Sequence, residues 1–81
     1  MITGTQMRAA RALLGLDQRE LAQASGLSLP TIQRMESCDG VVRGNVDSLM
    51  KLVDALAAGG IELIGDGASS GGGGGRGVRL K

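Results

Sequence analysis

Residues 18–36 run QRELAQASGLSLPTIQRME, and this stretch decides the fold. Two short helices are expected here, joined by a tight turn and crossing at a steep angle with their axes close together. Leu21 and Ala22 give the first helix its inner face, and the small Ala22 lets the two axes approach. Gly26 stops that helix, because glycine enters the left-handed backbone conformation that reverses the chain without steric cost. Ser28 is a good cap for the second helix, and Pro30 fits the first turn, where backbone N–H groups have no partner in the helix. Leu21, Leu27, Ile32 and Met35 fill the space beneath the pair, so the first turn of the second helix projects from the surface.

Working outward, residues 5–14 place Met7, Ala10, Leu13 and Leu14 at helical spacing, with Arg8 and Arg11 interrupting them, and Gly15 ends this helix. Residues 1–4 read as a short frayed lead. Asp17 opens the next helix, with Glu20 three residues on completing a capping box. Residues 37–44 are a loop by composition. Asn45 then caps a fourth helix in which Val46, Leu49, Val53 and Leu56 recur, and Leu52 widens the stripe. That stripe is too short for a coiled-coil seam and is explained by core packing. Gly59 and Gly60 end the helix, and no internal repeat is visible.

Beyond Gly60 the runs 61–64 (IELI) and 78–80 (VRL) are β-like and bracket a stretch of glycine and serine. Two readings stay open: a flexible tail, or an antiparallel ribbon closed by a glycine loop. A two-stranded ribbon is marginal alone, so it would lie on the helices or on a second subunit. The organisation expected is a helical domain over 1–60 followed by a ribbon or tail over 61–81.

Composition narrows the function. Among 81 residues there is no His, Phe, Tyr or Trp, and Cys38 is the only cysteine. The missing histidine removes the commonest general base and metal ligand, and the missing aromatics leave nothing to stack single-stranded bases. A lone cysteine makes neither an intrachain disulfide nor a cysteine-based zinc site. No nucleophile–base pair or metal cluster can be assembled, so no enzyme, cofactor or metal is expected. No apolar run is long enough to span a membrane and the N-terminus lacks a secretory pattern, so a cytoplasmic location is expected. The net charge of +1 is lower than many nucleic-acid-binding domains carry.

With RALLGLDQRELAQASGLS, PTIQRME and NVDSLMKL in order, the chain resembles the Cro and phage-repressor family of helix-turn-helix regulators, the XRE family. Gln18, Ala22, Gly26, Ile32 and Glu36 carry the match, which covers about three quarters of the chain. The IELIG run and GVRLK tail look like a short bacterial subgroup and depart from five-helix phage repressors. The resemblance implies an all-α, four-helix lambda-repressor-like fold that binds double-stranded DNA through its second motif helix. It assigns Gln18 to a DNA phosphate and to bracing the recognition helix, and Ser28, Leu29, Pro30, Thr31, Gln33 and Arg34 to the major groove. Leu29 and Pro30 offer no side-chain hydrogen bond and suit a thymine methyl, which leaves polar readout to Gln33 and Arg34. Arg43 and the amides near Asn45 are placed for phosphate, and Arg19 at a helix start is another candidate. Arg11 and Glu36 match a family ion pair between the first helix and the recognition helix.

Blander readings stand beside these. Arg8 and Arg19 read as ordinary exposed charges, and Cys38 lacks a neighbour that would activate it. The glycine run lacks the Gly-Lys-Ser/Thr ending of a phosphate loop, and its single GGGGGRG is a weak Arg-Gly motif. The function expected is a homodimeric repressor on a pseudo-palindromic operator. Its dimer contact is assigned to Ile61, Leu63, Val78 and Leu80, the apolar residues left without an obvious intramolecular role. The alternatives are an antitoxin-like or mobile-element regulator whose tail holds a partner protein, and a protein-interaction module on the same fold.

Overall fold

A computed structural model describes residues 2–64 and 76–81. The chain forms α1 (Gly4–Leu14), α2 (Gln18–Ser25), α3 (Leu29–Glu36), α4 (Val46–Ala58), β1 (Ile61–Ile64) and β2 (Gly77–Leu80). The glycine-rich stretch expected to be flexible, 65–75, lies outside the described residues, as does Met1 of the expected lead.

Each helix begins where a side chain satisfies a first-turn amide. Asp17 accepts from the Glu20 amide at 2.7 Å while the Glu20 carboxylate accepts from the Asp17 amide at 3.0 Å. Ser28 accepts from Thr31 at 3.3 Å, and Asn45 from Ser48 at 2.7 Å. Gly26 has a φ of 75°, the left-handed turn expected of it. The first helix starts one residue earlier than its pattern indicates, through a second capping box: the Thr3 hydroxyl accepts from Gln6 N, and the Gln6 side-chain oxygen accepts from Thr3 N.

The lead is therefore not frayed. Ile2 is fully buried, and its carbonyl accepts from the Val42 amide at 2.8 Å, beside an antiparallel bridge between Thr3 and Val41. Burying such a side chain is worth about 1.5–3 kcal/mol, enough to hold so short a segment against the α3–α4 loop. Gly4 lies so close to the end of α3 that a Cβ there would overlap the Cys38 carbonyl oxygen and sit 2.9 Å from that of Glu36.

Ile2, Met7, Ala10, Leu21, Ile32, Met35, Leu52 and Leu56 form the core, joined by Val42 and Ile61. Three residues of the expected inner stripes stand outside it: Leu13 is 45% exposed, Val46 is 72% exposed, and Val53 is half-buried away from the core. Val46 belongs to the opening turn of α4, before that helix reaches the core.

The ribbon is formed. It is antiparallel, with Ile61 opposite Leu80, Glu62 opposite Arg79, Leu63 opposite Val78 and Ile64 opposite Gly77. Alternation puts Ile61, Leu63, Val78 and Leu80 on one face. Ile61 is buried, and Leu63 and Val78 pack against the core, with β2 along α1 and β1 against α4. This corrects the expectation that these four lack an intramolecular role: three cover the helices, and Leu80 alone is half exposed. Gln6 holds the end of the ribbon where β1 leaves and β2 enters, donating to the carbonyls of Ile64 and Gly77 at 3.0 Å each.

Candidate nucleic-acid interface

The inner face of α3 fixes what the outer face presents. Ile32, Met35 and Glu36 are buried, which turns Gln33 and Arg34 outward, with Ser28 and Pro30 exposed at the head of the helix. Leu29 and Thr31 are half-buried beside them. The Ser28 and Thr31 hydroxyls lie 2.8 Å apart and satisfy each other, so the head of α3 is pre-organised.

Glu36 anchors the far end of this helix. Its carboxylate is nearly inaccessible and receives Arg11 Nε at 2.9 Å, Arg11 Nη2 at 3.1 Å and Gln18 Nε2 at 3.1 Å. Arg11 also donates to the Leu16 carbonyl at 3.2 Å. Its guanidinium is held above its ordinary pKa, first by the hydrogen bond to Glu36, while partial burial opposes the shift. Arg11 and Glu36 thus form an ion pair between α1 and α3, and Gln18 of α2 donates to the same carboxylate. The Gln18 amide has a second N–H left over for an anion.

Arg8 is exposed but does not stand free: it donates to the Glu36 carbonyl and, at 3.1 Å, to the Thr5 hydroxyl. A cation at the C-terminal carbonyls of α3 complements the helix dipole. Cys38 is half-buried, its thiol 3.6 Å from the Arg34 carbonyl.

At the other flank, Arg34 Nη1 donates to the Arg43 carbonyl at 3.2 Å. The recognition helix is thus tied to the loop that carries Arg43, whose backbone lies at the flank of α3. The Asn45 side-chain oxygen is occupied in capping α4, and Asp47 sits in the same first turn. Any phosphate contact near Asn45 would fall to backbone amides with a carboxylate close by. Arg19 is exposed at the start of α2 and is drawn to none of these groups, with Asp17 and Glu20 at the same helix end.

Sequence reasoning missed Ile2, Gly4, Gln6 and the role of Arg8. A signal existed for Gln6, since Thr3 followed three residues later by glutamine ahead of an apolar run is a capping-box pattern.

Two helices in a tight turn, with the second braced from within and polar on its outer face, define a helix-turn-helix unit. Residues 7–38, from within α1 to just past α3, match the helix-turn-helix family HTH_3. That stretch is similar to helix-turn-helix domains of the Cro/phage-repressor (XRE) type, a fold of DNA-binding transcription regulators. No curated protein matches the chain. No helix among the described residues is long and apolar enough to cross a membrane.

Proposed function

We propose that this chain is a repressor that binds a pseudo-palindromic operator as a homodimer and blocks a promoter by occupying it. The observation that carries the reading is the outward pair Gln33 and Arg34, held on a helix that Glu36 ties from beneath to Arg11 and Gln18. Such a helix has the size and polarity to enter the major groove and offer donors to base edges. Leu29 and Pro30 narrow the readout toward thymine methyls at its head. Gln18, Arg43 and the first-turn amides after Asn45 supply backbone contacts that set register without reading sequence.

One such domain covers half an operator, and two copies would sit about 34 Å apart, one helical turn. The experiment is selection of the purified chain on a library of random DNA duplexes. Enrichment of a two-fold sequence with half-sites one turn apart is the expected result. Retention that falls with salt and enriches no sequence would overturn the reading, leaving a basic surface without readout.

A further inference from the structure

The connection from α3 to α4, residues 37–45, carries Arg43 and contains no helix or strand element of its own. Within it Val41 and Val42 are β-branched and favour extended backbone. They pair with the first residues of the chain. Val42 N donates to the Ile2 carbonyl at 2.8 Å, Gly4 N donates to the Gly40 carbonyl at 3.3 Å, and Thr3 bridges Val41 between them. Side chains alternate across an extended segment. Val42 joins Ile2 in the hydrophobic core, so Val41 and Arg43 on either side of it are turned outward.

We infer that Ile2 is a positioning residue for DNA: its burial fixes the lead, and the lead's backbone holds the loop with Arg43 facing the phosphates. The inference rests on the DNA-binding reading above and adds to it a residue that touches no nucleic acid. Through this bridge the first residues of the chain set the geometry of a contact made more than 40 positions later.

A strap can position a loop only if it is itself anchored. Gln6 supplies the anchor: its side-chain oxygen accepts from Thr3 N at 2.9 Å, while its amide nitrogen donates to the Ile64 and Gly77 carbonyls. The lead is thereby fixed to α1 and to the ribbon, neither of which belongs to the loop. A second tie reaches the loop from α3, where Arg34 Nη1 donates to the Arg43 carbonyl. That bond is exposed and exchanges readily for one to water, so its net worth is small. Ile2 and Val42 are withdrawn from water altogether, and their burial is the stronger restraint.

Pre-ordering is what Ile2 contributes to affinity. A loop already held in place loses little conformational freedom when it meets DNA, whereas a slack loop must be ordered at the expense of binding. The cost falls on a phosphate contact, so it is the same whatever the base sequence.

The test is a double-mutant cycle on the full chain, using the operator obtained by selection and a scrambled duplex. Far-ultraviolet dichroism first verifies that each variant is folded at the temperature of the titrations. Ile2→Ala is expected to lower affinity for both duplexes by the same factor, about tenfold, the cost of ordering about one residue of backbone. In an Arg43→Ala background the same change is expected to lower affinity no further. Ile2→Val, which refills most of the space, is expected to restore most of the affinity. Val42→Ala loosens the pairing from the loop's side and runs through the same cycle, so an unfolded Ile2→Ala protein leaves the question answerable. A tenfold loss that persists in the Arg43→Ala background overturns the proposal, because the effect would then be general softening of the domain. A loss confined to the operator overturns it as well and moves the effect to α3 and Arg34, and an unchanged affinity overturns it outright. These three results leave the DNA-binding reading standing, whereas a parent chain that binds neither duplex refutes both.

Discussion

The Arg11 guanidinium holds the Glu36 carboxylate at two points, Nε to Oε2 at 2.9 Å and Nη2 to Oε1 at 3.1 Å, linking α1 to the end of the recognition helix. Glu36 is 4% exposed and Arg11 25%, so solvent screens the pair only from one side. Glu36→Ala leaves a guanidinium and the Gln18 amide facing an apolar gap, and is expected to destabilise the domain by about 2–4 kcal/mol. Asp47→Ala breaks a pair whose members are half to four-fifths exposed, and its expected cost is below about 1 kcal/mol. Denaturant melts compare the two. Equal shifts would mean that the geometry at Glu36 contributes nothing beyond surface attraction.

The packing of Gly4 against the end of α3 gives a second contrast. Gly4→Ala forces a methyl onto backbone carbonyls of Cys38 and Glu36, which cannot rotate away, so α1 and α3 must separate. Overpacking of this kind costs about 1–3 kcal/mol. At Gly40 an added Cβ meets no atom within 4 Å and the φ is not positive, so Gly40→Ala is expected to be neutral or mildly stabilising. Melting both variants tests the relationship, and a Gly4→Ala protein as stable as the parent would contradict it.

Gln6 is the buried polar centre of the fold, 3% exposed. Gln6→Leu removes the donor shared by the Ile64 and Gly77 carbonyls and the acceptor of the Thr3 amide. Each buried group left unpaired costs about 1–3 kcal/mol. The ribbon is expected to open first, since that end loses the side chain that holds both of its carbonyls. Amide hydrogen exchange reads this directly: β1 and β2 amides are expected to exchange faster than those of α2 and α3. Uniform acceleration across all elements would instead indicate a global loss.

What was legible in the sequence follows the range of the interaction. Asp17 with Glu20, Ser28, Gly26 and Asn45 act within three or four residues, and each sits where its chemistry places it. Glu36 was reached through resemblance, because its partner Arg11 lies 25 residues away. The bonds of Gln6 to Ile64 and Gly77 span 58 and 71 residues, and no local pattern encodes them. Val46 continues the helical period of Leu49 and Leu56, but periodicity does not tell where a helix begins to touch the core. Both ribbon runs were visible, and whether they paired depended on a helical surface that the sequence does not draw.

The last prediction separates reading from holding in the DNA interface. Arg34 uses one N–H on the Arg43 carbonyl, leaving four of the five guanidinium donors for a base. A guanidinium on guanine O6 and N7 is worth about 1–3 kcal/mol of discrimination at each half-site. Arg34→Ala is therefore expected to weaken the selected operator strongly while sparing a scrambled duplex. The acceptor in the Arg34–Arg43 bond is backbone, so Arg43→Ala removes a side chain and leaves that tether in place. Its expected effect is an equal loss on both duplexes and a salt slope flatter by about 0.9 per half-site, the signature of a phosphate contact. Titrations of operator and scrambled duplex at two salt concentrations measure all four quantities. Arg34→Ala lowering both affinities alike with a flatter salt slope would make Arg34 a phosphate clamp. The same uniform loss at an unchanged slope would make it the tether of the α3–α4 loop, and Gln33 and Thr31 would then carry the polar readout.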